Sequence, residues 1–367
     1  MISSPRCELI NENYTAAATA CDNNRKGFAL TNFFCMMFLF GLSLLIVPSG
    51  SNSLKAMEKP VVLATTLGAP GGIYKCFESC IERHFTIVPY ERFVQRKEQF
   101  AARIQALFVW GTSIKVDREL LQSLPNLKAV VNGGVGVDHL DIPLINSFGV
   151  KVSNTPHVVD NATADIGMCL MLASARRIVE GHNFSKFRES DEFPETTLGT
   201  DVSGATLGII GMGRIGYKIA KRAQGSENEE KSVGATYCVS MDELLQKSDF
   251  IMVVVNLSPQ THKLIGAKEF AMMKPNSTFI NISRGLVVDQ DALVEALQKK
   301  MIRAAALDVT YPEPLPRDHS LLSMPNVIVL PHVGTHTMET SQLMVKRMVT
   351  NALAALTGDQ LPDEVKA

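Results

Sequence analysis

From Lys59 onward, short apolar runs alternate with longer stretches in which apolar residues recur every third or fourth position. A short run of four to six apolar residues suits a strand buried on both faces, and the 3.6-residue rhythm suits an amphipathic helix. On that basis the pattern predicts strands over 61–64, 85–89, 106–110, 127–132 and 150–153, with helices over 73–83, 96–104 and 117–124 between them. A long helical stretch follows over 161–184. Further strands are predicted over 207–210, 235–239, 250–255, 278–282, 304–309 and 327–330. Helices are predicted over 217–224, from a capping box at Ser240-Met-Asp-Glu243, over 291–299, and over 337–356 before Gly358. Such alternation predicts an α/β protein with parallel sheets covered on both faces. The amphipathic last helix is expected to pack back on the first domain.

The strand over 207–210 runs into Gly211-Met-Gly-Arg-Ile-Gly216, and a helix follows. A G-x-G-x-x-G spacing also occurs in plain loops. Between a buried strand and a helix it predicts dinucleotide binding. Gly211 permits the tight turn, Gly213 lets the backbone approach a pyrophosphate at a helix N-terminus, and Gly216 lets helix and strand pack closely.

The first 56 residues break the pattern. Residues 1–27 read as polar and irregular. Residues 28–47 are 20 mostly apolar residues without a charge, long enough to cross a bilayer. This run is read either as an anchor or signal, or as an upstream extension outside the working protein. Met57 starts a segment that enters the first core strand directly, so residues 57–367 are expected to contain everything the fold needs. Asn161-Ala-Thr163 and Asn281-Ile-Ser283 are glycosylation acceptors where packed or catalytic backbone is expected, which weighs against export. The chain is therefore expected in the cytoplasm, with a membrane anchor through residues 28–47 as the alternative.

Composition narrows the class only slightly. Of 367 residues, 46% are hydrophobic and 20% charged, and the net charge of -1 gives no basis for nucleic-acid binding. The seven cysteines are scattered, as in a reducing compartment. Cys76 and Cys80 are read as a helix face rather than a metal pair, and no metal site is expected.

Three segments at strand ends carry the candidate chemistry: Asn281-Ile-Ser-Arg-Gly285, Ala306-Leu-Asp-Val-Thr-Tyr-Pro-Glu-Pro314 and Leu330-Pro-His-Val-Gly-Thr335. Open α/β sheets bind ligands at such ends. Arg284 offers a donor fork for a carboxylate or a carbonyl. His332 offers a proton, and Glu313 can orient His332 and raise its pKa. Each also has a structural reading: a loop anchor, a strand-closing histidine, a solvated turn residue between prolines.

On these segments, and on Asn132-Gly-Gly-Val-Gly-Val-Asp-His139, Thr163-Ala-Asp165 and Pro331-His-Val-Gly334, the chain from Lys59 to the C-terminus resembles the D-isomer-specific 2-hydroxyacid dehydrogenases. The Pro312-Glu-Pro-Leu-Pro316 run points to their glyoxylate/hydroxypyruvate reductase group. The resemblance implies two domains: a flavodoxin-like substrate domain, residues 57–155 completed by 333–367, and a Rossmann-like dinucleotide-binding domain, residues 156–332. It implies Arg284, Glu313 and His332 as catalytic residues. Val135 and Gly136 would join Arg284 in holding the substrate. The cofactor would meet Thr163, Gly211, Met212, Gly213, Arg214, Ile215, Gly216, Asn256 and Asp308. It also implies NAD or NADP, with NADPH favoured, a small 2-keto acid substrate and a homodimer.

One departure stands out. No apolar run lies between Gln224 and Val233, where the family's second Rossmann strand and its ribose partner belong. Glu229 and Glu230 fall near the required offset, but no strand presents them. The expected result is two unpaired strand edges, or a shift of the strand over 235–239 into the gap. A smaller departure is the loop over 185–200, with phenylalanines where relatives often carry tryptophans. The catalytic trio favours a reductase. The missing strand favours a catalytically impaired or inactive dinucleotide-fold scaffold or sensor.

Overall fold

In the computed structural model, residues 7–10, 58–65, 67–68, 72–111, 114–187, 195, 198–224 and 235–366 are described. Residues 28–47, Glu229, Glu230 and most of the loop over 185–200 lie outside them. Twelve described strands form two parallel sheets. In chain order they are β1 (Cys7–Ile10), β2 (Val61–Ala64), β3 (Thr86–Pro89), β4 (Ile104–Val109), β5 (Ala129–Asn132), β6 (Lys151–Ser153), β7 (Leu207–Ile210), β8 (Ala235–Tyr237), β9 (Phe250–Val253), β10 (Thr278–Asn281), β11 (Ala304–Leu307) and β12 (Val327–Val329).

The smaller sheet has the order β3-β2-β4-β5-β6. Its pleat sends alternate residues to opposite faces. Val61 and Leu63 enter one apolar cluster, with Leu107, Val130 and Val152. Val62 and Ala64 enter the other, with Phe108, Val131 and one face of the last helix, Met338–Thr357. That helix starts on the Thr337 cap and stops where Gly358 takes a φ of +84°. Its Val345, Met348 and Val349 complete the smaller sheet's core, as the amphipathic pattern predicts.

The larger sheet has the order β12-β11-β10-β9-β7-β1-β8. Its central strands are buried along their whole length, which is why β7, β9 and β11 carry no polar side chain, while β10 is apolar between Thr278 and Asn281. The helix Asp160–Ala175 covers one face. Its Ala164 and Leu170 pack with Ile209, Met252 and Ile280.

The second-strand position differs from both sequence expectations. The facing edges of β7 and β8 are not left open, and β8 has not moved over. β1 lies between them, parallel to each. Residues 1–27 are therefore not irregular throughout, and residues 57–367 do not supply every strand of this sheet. A four-residue run in a polar context gives too weak a period to predict a strand.

Smaller differences follow from local geometry. The stretch over 161–184 is two helices, Asp160–Ala175 and Ile178–Lys186, because Arg177 adopts φ +50° and breaks the path. The helix expected over 96–104 is shorter and preceded by another, Tyr90–Gln95, while Ile104 already belongs to β4. The helix Ile142–Ser147 was not predicted, although the Asp141 cap and Pro143 mark its start. Among the described residues no helix is long and apolar enough to cross a membrane.

Met348 is fully buried between the last helix and the smaller sheet. Met348→Ala is expected to cost roughly 2–5 kcal/mol, from lost burial and the cavity left behind. Urea unfolding followed by circular dichroism measures it.

Candidate active site

The loop after β5 is built from its own side-chain amides. Asn132, almost fully buried, donates through Nδ2 to the carbonyls of Gly134 at 3.1 Å and Gly136 at 2.9 Å. Asn154 donates to the Val135 carbonyl at 2.8 Å, and the Thr155 amide donates to the Gly134 carbonyl. Three consecutive carbonyls are thus engaged within the protein. His139 contacts the Asn132 carbonyl oxygen through Nε2 at 3.1 Å. Burial pushes the His139 imidazole below its usual value, against the opposing pull of Asp138 and with the help of Arg284's charge. A neutral ring with Nε2–H donating to Asn132 satisfies both observations.

Arg284 leaves the end of β10 and crosses to this loop. Its Nε donates to Asp138 at 3.0 Å and its Nη1 to the Ser283 carbonyl at 2.8 Å. The remaining nitrogen, Nη2, rests on Gly136: a Cβ there would lie 1.7 Å from it. Asn281 fixes the turn from beneath, donating to the Arg284 carbonyl and accepting from the Ser283 amide and hydroxyl. The Arg284 loop also lies directly on the segment after β11, since a Cβ on Gly285 would stand 2.0 Å from the Thr310 carbonyl.

His332 follows β12 in the left-handed region, at φ +55°. Asp308, at the end of β11 and 1% exposed, holds it there. The Asp308 carbonyl accepts from the His332 amide at 2.8 Å. Its carboxylate oxygens accept from the Val333 and Gly334 amides at 2.8 and 2.9 Å. Burial raises the Asp308 carboxyl above its usual value, although these amides and His332 pull it down. Thr163 lies against the same turn, with its methyl 3.4 Å from the place of a Gly334 Cβ. The His332 ring meets Glu313 Oε2 through Nδ1 at 2.9 Å, and the Thr310 amide donates to Oε1 at 3.1 Å. Burial alone would raise Glu313. The hydrogen bond and charge of His332, the Thr310 amide and the Arg284 charge outweigh it and hold the carboxyl below its usual value.

The structure thus brings Arg284, Glu313, His332, Asp308, Thr163, Val135 and Gly136 together around the carboxyl ends of β5, β10, β11 and β12. The glycine loop stands at the carboxyl end of β7. Gly211 has φ +106°, and a Cβ on it would meet the Val254 carbonyl at 2.6 Å. A Cβ on Gly216 would meet the Gly211 carbonyl at 2.1 Å, so loop and helix pack without space for one. At Gly213 nothing lies within 4 Å. Protein packing does not require that glycine, and the open cradle fits a pyrophosphate above the N-terminus of the helix Arg214–Gln224. Met212 and Ile215 pack beneath the loop. Arg214 pairs with Asp160 at 3.3 Å. Asn256 is exposed beyond β9, its carbonyl accepting from the Thr261 hydroxyl.

Sequence reasoning gave no role to Asp138, Asn132 or Trp110. Asp138 and Asn132 lie inside a quoted motif, and their partners become visible only when the two sheets meet. Trp110 packs edge to face with Tyr74, and a Cβ on Gly133 would strike its ring at 2.5 Å. Among the described residues no group of three or more His, Cys, Asp or Glu is placed to hold a metal ion.

A parallel sheet with a glycine loop after β7, beside a cation–imidazole–carboxylate set, defines a dinucleotide-dependent oxidoreductase. Residues 168–334 match the family described as D-isomer specific 2-hydroxyacid dehydrogenase, NAD binding domain. The glyoxylate/hydroxypyruvate reductase B of Escherichia fergusonii is 42% identical over 295 residues, covering 76% of this chain and 91% of that protein. Among solved structures, the NADPH-dependent glyoxylate/hydroxypyruvate reductase of Sinorhizobium meliloti, in complex with NADP and malonate, has a TM-score of 0.72 at 29% identity. That match covers 84% of this chain and 97% of its own. A glyoxylate reductase from Paecilomyes thermophila has a TM-score of 0.70 at 30% identity, covering 84% and 99%. The chain belongs to the D-isomer specific 2-hydroxyacid dehydrogenases and is an NAD(P)-dependent oxidoreductase. With β1 in the sheet, the open gap that motivated the inactive reading is not present.

Because the Glu313 carboxyl lies below its unfolded value of about 4.3, its charge stabilises the folded state above that value. The contribution is lost as pH falls through the lower folded value. Thermal melts of wild type and Glu313→Gln are expected to differ most near neutrality and to converge as pH falls below the unfolded value of about 4.3.

Proposed function

We propose that this chain reduces small 2-keto acids, of the glyoxylate and hydroxypyruvate kind, to 2-hydroxy acids with NADH or NADPH. The observation that carries this reading is the Glu313–His332 pair facing Arg284 Nη2 over Gly136. The names of the relatives agree with it.

In this reading the Val135 and Gly136 amides, whose loop carbonyls are turned into the protein, receive the substrate carboxylate. Arg284 keeps Nε on Asp138 and presents Nη2 at the same spot, where it binds a carboxylate or carbonyl oxygen and stabilises the charge that develops there. The nicotinamide, when bound, supplies the hydride to the carbonyl carbon. His332 gives the proton to the carbonyl oxygen from Nε2, because Glu313 holds the Nδ1–H. After transfer the ring is neutral, still hydrogen-bonded to Glu313 and ready to be reprotonated. Asp308, Thr163 and Asn256 border the cofactor, and the 211–216 loop holds its pyrophosphate.

Residues 57–155 with 333–367 form the substrate domain of this proposal, and 156–332 the cofactor domain. Leu172, Ile178, Val179 and Phe187 are exposed apolar residues on or just beyond the helices Asp160–Ala175 and Ile178–Lys186, and this apolar surface supports association of two copies.

Two variants test the roles. Steady-state assays with glyoxylate should show His332→Gln losing turnover by about a hundredfold or more, the scale of a lost general acid, while cofactor titration stays near wild type. Unchanged turnover would remove His332 from the chemistry. Arg284→Lys is expected to raise KM for the keto acid about tenfold or more, because an ammonium cannot both hold Asp138 and reach across Gly136. Saturation at wild-type concentrations would count against that role.

A further inference from the structure

β1 stands in the larger sheet although the rest of that sheet begins 197 residues later, at Leu207. In a doubly wound dinucleotide sheet the strands run 3-2-1-4-5-6, and the phosphate loop follows strand 1. Here β7 carries that loop, β9, β10 and β11 stand at positions 4, 5 and 6, and β8 stands at position 3. Position 2 is filled from the far end of the chain, by Cys7–Ile10.

The register is that of a working second strand. Cys7 pairs with Leu207 on one side and Ala235 on the other, and Ile10 pairs with Ile210, the residue before Gly211. The carboxyl end of β1 is therefore level with the start of the phosphate loop, at the edge where such sheets hold ligands. Without it, β7 and β8 would stand roughly 10 Å apart, two strand spacings. Both facing edges would then carry unpaired amides and carbonyls.

We propose that the amino-terminal strand replaces the missing second Rossmann strand and forms the adenosine-side wall of the dinucleotide site. Cofactor affinity then depends on residues more than 190 positions upstream of the phosphate loop. The proposal rests on the dinucleotide-dependent reading above.

The test uses the full chain and its variants Glu8→Pro, Leu9→Pro and Ala17→Pro. A proline in a strand paired on both sides removes a ladder hydrogen bond, whereas Ala17 lies outside β1. Hydrogen exchange over 207–210 and 235–237, without cofactor, reads the insertion directly. Fluorescence titration with NADH and NADPH reads the site. Expected are faster exchange in both segments and cofactor binding weakened about tenfold or more for the Glu8 and Leu9 variants, with Ala17→Pro unchanged. Unchanged exchange and affinity in Leu9→Pro would overturn the proposal. If wild type binds neither cofactor while exchange still depends on Leu9, the reductase reading falls with the cofactor half, and the strand replacement stands. Should the proline variants fail to fold, a protease site placed after Asn13 in the otherwise native chain decides it. After cleavage the amino-terminal peptide should remain bound through gel filtration. Its release with an unchanged melt would overturn the insertion.

Discussion

The active-site arrangement depends on one buried carboxylate. Asp308 places an ionisable group among apolar strands, where burial raises its pKa. It offsets that cost by accepting from two successive amides and, through its own carbonyl, from a third. Those three bonds hold His332 at a positive φ that a histidine adopts only when its surroundings over-determine it. From that backbone the ring reaches Glu313. Glu313 is in turn held by the Thr310 amide, two residues beyond Asp308. One short strand end therefore sets both the hinge of the imidazole and the position of its carboxylate partner. Thr163 meets the same turn from the helix Asp160–Ala175, so the arrangement is anchored in the larger sheet's helical layer.

The second anchor joins the two sheets. Arg284 belongs to the end of β10, yet its Nε hydrogen bond goes to Asp138 of the smaller sheet's loop. The pair is partly exposed, so its strength as a salt bridge is modest. Its value lies in geometry: it sets the rotation of the guanidinium and leaves Nη2 over Gly136. The same cation contributes to lowering both His139 and Glu313. For both groups it is the smallest of the contributions: burial dominates at His139, and His332 and the Thr310 amide pull harder than Arg284 at Glu313.

The parts of this structure legible in the sequence were those with a strong local period. β9 is an unbroken apolar run because both faces are buried, and the last helix announces itself through the Thr337 cap, its apolar stripe and Gly358. Arg284, Glu313 and His332 were legible as chemistry at strand ends. Asp138 was not, because its partner lies 146 residues away and nothing about an aspartate in a glycine-rich loop names an arginine. The break at Arg177 was equally silent, since the apolar rhythm continues through it. β1 was the hardest to see. Its pairing partners supply the whole reason for its being a strand, and they begin near residue 207.

The glycines show the same limit most sharply. Gly136 and Gly213 have the same appearance in the sequence, each inside a G-x-G spacing and each beside a candidate ligand. A Cβ on Gly136 would displace the Arg284 guanidinium, so that glycine makes room for the protein's own side chain. A Cβ on Gly213 would meet nothing of the protein at all. The glycine that the fold does not need is the one whose small size can serve only what enters from outside. The empty surroundings of Gly213, rather than the spacing itself, are what support the proposed pyrophosphate site at the 211–216 loop. In Gly136 the same economy of space serves Arg284, the residue proposed above to reach the substrate.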